Sequence, residues 1–456
     1  MATKTEMELF NKIVRDIDAA GGVVYYVGGY VRDKFIGKVS KDIDVEIHNI
    51  TVDTVKTILS KYGKLDLVGK AFGILKLRGV DIDFAFPRLE FQAGVKHTDF
   101  EVRVDPFMGA RKAASRRDFT MNSIMENVLT GEIIDPYFGR EAIATRSIEL
   151  IDAKSYAEDP LRALRAAQFA ARFDFTVDSE VIEVSKGLDY THLSVERVET
   201  ELNKILLSDR PSVGLHYLKE MGVLTQLSPI LDQLSGVPQN PEYHPEGDVF
   251  EHTKIVVDAA SKLKSASVDP LAFMYLALTH DIGKLTTTAV NEKTGKLQAI
   301  GHEQAGVDLV EDCLRSLTKR TSLLKYLKPM IEYHMVGHTI LERRPINVRR
   351  LLRKVDMAEV LLFNCADQAR KVGMAADELK AGANYEEKVN FVRSFEMGAA
   401  FQIVPVINGG DLIKLGVEPG PVFKSLLEEA IEFQMQGASR EKILRTLAKK
   451  AKKLKS

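Results

Sequence analysis

Asp42 and Asp44 stand two residues apart in the alternating run Asp42-Ile43-Asp44-Val45-Glu46-Ile47-His48. On a β-strand both carboxylates face the same way and can share a divalent cation. Upstream lies Gly28-Gly29-Tyr30-Val31-Arg32-Asp33. Adjacent glycines let backbone N–H groups approach a polyanion, and a turn that opens a helix adds the positive end of its dipole. A phosphate cradle beside a metal clamp points to chemistry on a nucleoside triphosphate, with Gly28, Gly29 and Arg32 at the nucleotide.

The aspartate pair alone is also readable as two solvated strand carboxylates. A second run, Val80-Asp81-Ile82-Asp83-Phe84-Ala85-Phe86, strengthens the first reading. It sets Asp81 and Asp83 on one face of an otherwise apolar strand, so Asp83, like Asp42 and Asp44, is expected to be a buried carboxylate, which is costly when unpaired. Three converging carboxylates, Asp42, Asp44 and Asp83, suit two hard cations such as Mg2+. Arg116-Arg117-Asp118-Phe119-Thr120-Met121-Asn122 follows. Its guanidinium groups can hold phosphate oxygens and Asn122 can meet a ribose hydroxyl. The same residues fit an exposed charged turn with a helix cap, and spacing leaves both readings open.

Glu158-Asp159-Pro160-Leu161-Arg162-Ala163-Leu164-Arg165 predicts a helix start, with Pro160 in the first turn and Asp159 as cap. Leu161, Leu164, Ala167 and Ala171 fall on one face, and Asp159, Arg162 and Arg165 on the other. The plain reading is a solvent-side ion pair between Asp159 and Arg162. The sharper one is a base reader: a carboxylate accepts from the exocyclic amine of C or A, and a guanidinium donates to the neighbouring ring nitrogen. G and U present a carbonyl there and are rejected.

The elements that position these residues are legible in outline. Up to about residue 150, short apolar runs alternate with turns, and Thr130-Gly131 suits a hairpin. From about residue 155 the pattern is helical, with breaks at Pro211, Pro229, Pro238, Pro241 and Pro270. Of 456 residues, 45% are hydrophobic and 28% charged, a globular profile of several domains. A net charge of −1 excludes a globally basic coat. No apolar run approaches a bilayer span and no secretory pattern opens the chain, so a cytoplasmic location without membrane or obligate protein partner is expected. Cys313 and Cys365 lack metal-ligand spacing and are expected to be buried.

Four blocks, GGYVRDKFIGKVSKDID at 28–44, RRDFTMN at 116–122, EDPLRALR at 158–165 and SVERVETELNKIL at 194–206, resemble the class II CCA-adding enzymes. These tRNA nucleotidyltransferases belong to the polymerase-beta-like superfamily, and DPYFGREAI at 135–143 adds to the likeness. The resemblance implies an α+β chain: a polymerase-beta-like head of mixed sheet and helices at 1–150 and a helical neck at 151–215. A helical body at 216–395 and a helical RNA-binding tail at 396–456 follow. It implies Asp42 and Asp44 as magnesium ligands, Asp159 and Arg162 as an amino-acid template for CTP and ATP, and Arg165 as a further nucleotide contact. Arg116, Arg117, Asp118 and Asn122 match the block for ribose and triphosphate. Gln168 departs from the arginine that is frequent there. The segment around His97, from Phe91 to Ser115, is similar to the loop that switches C to A addition. A bacterial poly(A) polymerase or a partial enzyme, adding only A or only CC, is built from the same blocks.

Six of the ten histidines lie between His244 and His338. The order His252, His280-Asp281, Asp367 is similar to the HD phosphohydrolase superfamily. That likeness implies these four as ligands, with His302 and His334 extending the site to a second cation. Mixed imidazole and carboxylate suit Mn2+, Ni2+ or Co2+ as well as Mg2+. Hydrolysis there with an inert head is the alternative from another class. Arg349, Arg350 and Arg353, within the basic run from Arg343, and the lysine-rich end are candidate contacts to RNA phosphates.

Overall fold

The computed structural model describes residues 4–40, 43–68, 74–78, 82–92, 100–396 and 405–453. The chain forms two compact units, Met1–Gly236 with Asp312–Arg320, and Val237–Glu311 with Thr321–Ser456.

The first unit opens with nine strands: β1 (Val23–Val27), β2 (Ile43–His48), β3 (Leu65–Val68), β4 (Ile74–Leu77), β5 (Ile82–Ala85), β6 (Arg88–Gln92), β7 (Phe100–Val104), β8 (Met125–Asn127) and β9 (Ile133–Ile134). Seven make a mixed sheet in the order β3-β4-β5-β2-β1-β8-β9, in which only β2 and β5 run parallel. β6 and β7 pair separately, so part of the expected loop from Phe91 to Ser115 is a hairpin, while residues 93–99 with His97 lie outside the described residues. The hairpin expected at Thr130-Gly131 is present, with Met125 opposite Ile134.

Alternation along β2 sends Val45 and Ile47 into the core and Asp44, Glu46 and His48 to the opposite face. Helix Lys4–Ala19 covers the apolar face with Phe10, Ile13, Val14 and Ile17, an i, i+3, i+4, i+7 stripe packed with Leu75 and Phe84. Burying each such side chain contributes roughly 1.5–3 kcal/mol.

The helix expected after Asp159 runs Leu161–Phe173. Pro160, not Asp159, takes the cap position just before it, and the Asp159 carboxylate accepts from the Leu161 N–H at 3.2 Å. The stripe Leu161, Leu164, Ala167 and Ala171 is buried as expected.

The second unit is helical apart from the short pair Ala289–Val290 and Leu297–Gln298 among the described residues. Its helices Val249–Leu263, Pro270–Thr279, Ser322–Tyr333 and Met357–Asp367 enclose Val256, Phe273, Ile331 and Phe363. A separate cluster of Ile407, Leu412, Leu426, Ile443 and Leu447 lies toward the C-terminus. Cys313 and Cys365 are buried, each 1% exposed. No helix among the described residues is long and apolar enough to cross a membrane.

Candidate functional site

Gly28 takes φ 62, a backbone shape that favours glycine, and the turn leads straight into helix Gly29–Ile36. Arg32 in its first turn is 6% exposed. Its guanidinium lies 4.9 Å and 4.8 Å from the ring centres of Phe169 and Phe173. It donates to Asp33 Oδ1 at 2.8 Å and 2.6 Å and to Asn122 Oδ1 at 2.8 Å. The structure therefore turns Arg32 inward, where it braces the turn against the neck instead of reaching out to a phosphate.

Asn122 in turn donates to Asp118 Oδ1 at 2.8 Å, and Asp118 Oδ2 accepts from Arg165 Nε at 2.7 Å. Burial opposes ionisation of Asp118, but Arg165 and Asn122 outweigh it and hold the carboxyl below its usual range. Arg162 donates to the Arg116 carbonyl at 3.0 Å and to the Ser155 carbonyl at 2.8 Å. The RRDFTMN block and the helix bearing the base-reading candidates are thus joined by side-chain bonds at two places.

Arg116 and Arg117 converge on a residue that the motif analysis passed over. Glu46 Oε2 accepts from Arg116 Nη2 at 3.0 Å and lies 3.5 Å from Arg117 Nη2, while Oε1 is 2.9 Å from His48 Nε2. Glu46 is 1% exposed. Burial disfavours its charge, yet His48, Arg117 and Arg116 bring it down to about 2. A carboxyl lowered from 4.5 to about 2 adds stability that is present above pH 4.5 and lost as pH falls toward 2. The displacement corresponds to roughly 3 kcal/mol. Glu46→Gln should therefore lower unfolding free energy by about that amount at pH 7, with the gap to the native protein narrowing toward pH 3 in urea titrations.

Asp44 and Asp83 are opposite each other in the parallel register of β2 and β5. Asp42 lies outside the described residues. The expectation that these carboxylates are buried is corrected: Asp44 is exposed, and the Asp83 side chain is 37% exposed and paired with Lys76 at 2.8 Å. The costly buried carboxylate on this strand is Glu46.

The ion pair expected between Asp159 and Arg162 is also replaced. Asp159 Oδ2 accepts from Arg197 Nη2 at 2.7 Å, and Arg162 spends its donors on the two carbonyls described above. Arg197 lies in the block at 194–206, where no single residue had been assigned a role.

In the second unit, three histidines are oriented alike. His280, His302 and His334 turn Nδ1 toward the carbonyls of Ala277, Ala299 and Ile331, at 3.1, 2.8 and 2.7 Å. A carbonyl only accepts, so Nδ1 carries the proton of the neutral ring and Nε2 presents its lone pair inward. His302 Nε2 and His334 Nε2 face each other at 3.2 Å, which a cation or a shared proton must relieve. His280 Nε2 is 3.3 Å from both Asp281 and Asp367, is aligned for a hydrogen bond with neither, and is buried. His252 Nε2 is 3.4 Å from Asp367, and its Nδ1 meets Glu246 at 2.7 Å.

Asp281 stands between two imidazole pairs. Its Oδ2 is 3.3 Å and 3.9 Å from His280 and His252, and its Oδ1 is 3.5 Å and 3.9 Å from His302 and His334. Burial works against its charge, but Lys284 at 2.7 Å and His280 hold it well below the ordinary carboxylate range. Without a cation, burial also opposes charge on His280, while Asp281 and Asp367 bring it up to about 10. Gly283 makes the packing possible, because a Cβ there would meet the His302 carbonyl at 1.9 Å. Inward lone pairs, an unpartnered Nε2 and two buried carboxylates fit a divalent cation held by nitrogen and oxygen.

Comparison with known proteins decides the family. Family models match residues 24–149 (poly A polymerase head domain), 174–234 (probable RNA and SrmB-binding site of polymerase A) and 249–367 (HD domain). The multifunctional CCA protein of Actinobacillus pleuropneumoniae serotype 5b is 32% identical over 73% of this chain and 80% of its own. That of Nitrosococcus oceani is 30% identical over 92% of this chain and 99% of its own. The chain belongs to the multifunctional CCA protein family. The fold agrees with this membership: a Bacillus stearothermophilus CCA-adding enzyme solved with CTP matches over 99% of each chain at 20% identity and a TM-score of 0.62. A Thermotoga maritima CCA-adding enzyme complexed with tRNA_CCA matches over 98% of this chain and 95% of its own, at 19% identity and a TM-score of 0.56. This member of the family is a nucleotidyltransferase with an HD domain, and both parts are of metal-dependent kinds.

Among the expected RNA contacts, Arg350 is engaged by Glu432, with Nε donating at 2.7 Å. Arg353 is exposed and Arg349 half-buried. Arg350 is thus held in an ion pair with Glu432.

Proposed function

We propose that this chain adds C, C and A in turn to the 3′ end of tRNA from CTP and ATP, releasing pyrophosphate. The observation that carries the reading is the junction of helix Leu161–Phe173 with the RRDFTMN block through Arg165–Asp118 and Arg162 on the Arg116 carbonyl. It sets a carboxylate and guanidinium groups able to read C and A beside residues able to hold a triphosphate.

Asp42, Asp44 and Asp83 are the residues that would hold magnesium. When bound, the ions neutralise the triphosphate and favour the alkoxide of the attacking 3′ hydroxyl. Asp159 accepts from the exocyclic amine of the base while Arg197 fixes its orientation, and Arg162 donates beside it. Arg116 and Arg117, set by Glu46, steady the phosphates. Arg197→Ala should leave the fold intact, since both partners are partly exposed. It should cut the preference for CTP over UTP about tenfold, read from kcat/KM with each nucleotide.

A second activity is hydrolysis of phosphoesters at the HD centre. His252, His280, Asp281 and Asp367 would hold one cation, Mn2+, Ni2+, Co2+ or Mg2+, and His302 and His334 with Asp281 a second. A bound ion there supplies an activated water. Lys284, between Asp281 at 2.7 Å and Gln239 Oε1 at 2.8 Å, is placed to meet a phosphate oxygen. The division into head, neck, body and tail at 150, 215 and 395 belongs to this reading, as does a cytoplasmic location without an obligate protein partner.

The test is a tRNA transcript lacking its last three nucleotides, incubated with CTP, ATP or both. Two added residues with CTP and three with both are expected. A long ladder of A from ATP alone would replace this reading with poly(A) synthesis.

A further inference from the structure

The head carries an exposed aromatic and cationic surface, in and beside the DPYFGREAI block, whose residues have no role in the chemistry above. Phe138 is 69% exposed and adopts φ 60, ψ 31, a left-handed shape that L side chains rarely take and that a bulky residue takes at a cost. Its surroundings fix it there. The Asp135 carboxylate accepts from the N–H groups of Gly139 at 2.7 Å and Arg140 at 2.9 Å. Gly139 is seated so tightly that a Cβ would meet the Thr120 carbonyl at 2.2 Å. Thr120 belongs to the RRDFTMN block, so the turn that presents Phe138 to solvent is anchored on the triphosphate-handling segment.

Beside it Tyr137 lines a cleft of about 520 Å³ with Met108, Arg111, Lys112 and Ser115. Arg111 lies 5.0 Å over the Tyr137 ring and donates to the Pro136 carbonyl at 3.1 Å, and the Tyr137 hydroxyl donates to the Arg111 carbonyl at 3.1 Å. Arg140 adds a third cation near Phe35, at 5.3 Å. None of Arg111, Lys112 and Arg140 is drawn into an ion pair among the described residues. An aromatic ring held on the surface, one residue along the chain from a cleft edged by Arg111 and Lys112, suits an unpaired nucleotide: the ring stacks on a base of any sequence, and the cations meet its phosphates.

We propose that Phe138, with Arg111 and Lys112, forms a docking site on the head for an unpaired nucleotide of the RNA substrate. The proposal rests on the tRNA reading of the preceding subsection. A strained aromatic kept on the surface has no folding advantage to explain it, and a stacking partner supplies one.

Phe138→Gly is the decisive variant, because glycine accepts φ 60 without strain and the protein should melt no lower than the native chain. Binding of a fluorescent tRNA transcript lacking CCA, measured by anisotropy on the full-length protein, should weaken about tenfold. KM for CTP should be unchanged, and Phe138→Trp should restore affinity. Lys112→Gln should reduce the slope of log affinity against log salt by about one. RNA affinity within twofold of native for Phe138→Gly, or Phe138→Trp binding as weakly as Phe138→Gly, would overturn the site. Native protein that extends the transcript normally while its affinity ignores Phe138 overturns this proposal alone. Native protein unable to extend the transcript overturns the reading beneath it.

Discussion

Asp44→Ala is expected to reduce nucleotide addition by a factor on the order of 10³ or more, with tRNA binding kept. The magnitude follows from position. Asp44 is exposed on β2, in register with Asp83 across the parallel pair, so it contributes little to the core. Replacing an exposed strand residue alters stability by only about 0.5 kcal/mol, and any loss of rate is therefore chemical. What disappears is a carboxylate for the cations that offset the charge of the triphosphate and of the departing pyrophosphate. A single-turnover assay with a labelled transcript reads the step directly, and far-UV circular dichroism reports the fold. Addition within tenfold of native would remove Asp44 from the reaction.

The second large effect is expected from Asp281→Asn. Its two oxygens face separate imidazole pairs, so one substitution weakens both candidate cation positions. Loss of an outer-shell partner alone costs about 10–100-fold in metal affinity, and loss of a direct ligand should exceed that. Metal content after dialysis against Co2+, and the visible absorption of bound Co2+, should both fall. Ring opening of 2′,3′-cyclic nucleotides to the nucleoside monophosphate should vanish while CTP addition persists. Retained Co2+ absorption would show that Asp281 is no ligand. The pH dependence has a definite sign. A cation must displace the proton that the two carboxylates hold on His280 up to about 10, so binding releases protons and affinity rises with pH. Calorimetry in buffers of different ionisation enthalpy would register the release.

Much of this architecture is legible in the chain before any coordinates. The alternation from Ile43 to His48, the Thr130-Gly131 turn and the apolar stripe from Leu161 are local patterns, and local patterns survive folding. Glu46 was not legible, because in an alternating strand it has the spacing of a solvated residue. Its burial comes from Arg116, 70 residues later. Arg197 is likewise separated from Asp159 by 38 positions. Glu246 sits in a loop rich in Pro and Gly, and only the fold brings it to His252 Nδ1 at 2.7 Å. Asp44 and Asp83 were expected to be buried because their neighbours are apolar, yet β2 and β5 leave that end of the sheet open. Sequence separation set the limit for Glu46 and Arg197, and the apolar character of the neighbouring residues misled for Asp44 and Asp83.

Arg32 has a mechanical consequence. Its backbone belongs to the first turn after Gly28-Gly29, while its guanidinium lies against both Phe169 and Phe173 of the neck helix. A settling of the glycine turn onto an arriving anion must therefore tug on the far end of the helix whose near end adjoins Asp159. On the proposed reading, phosphate cradle and base reader are thereby geared together through one side chain.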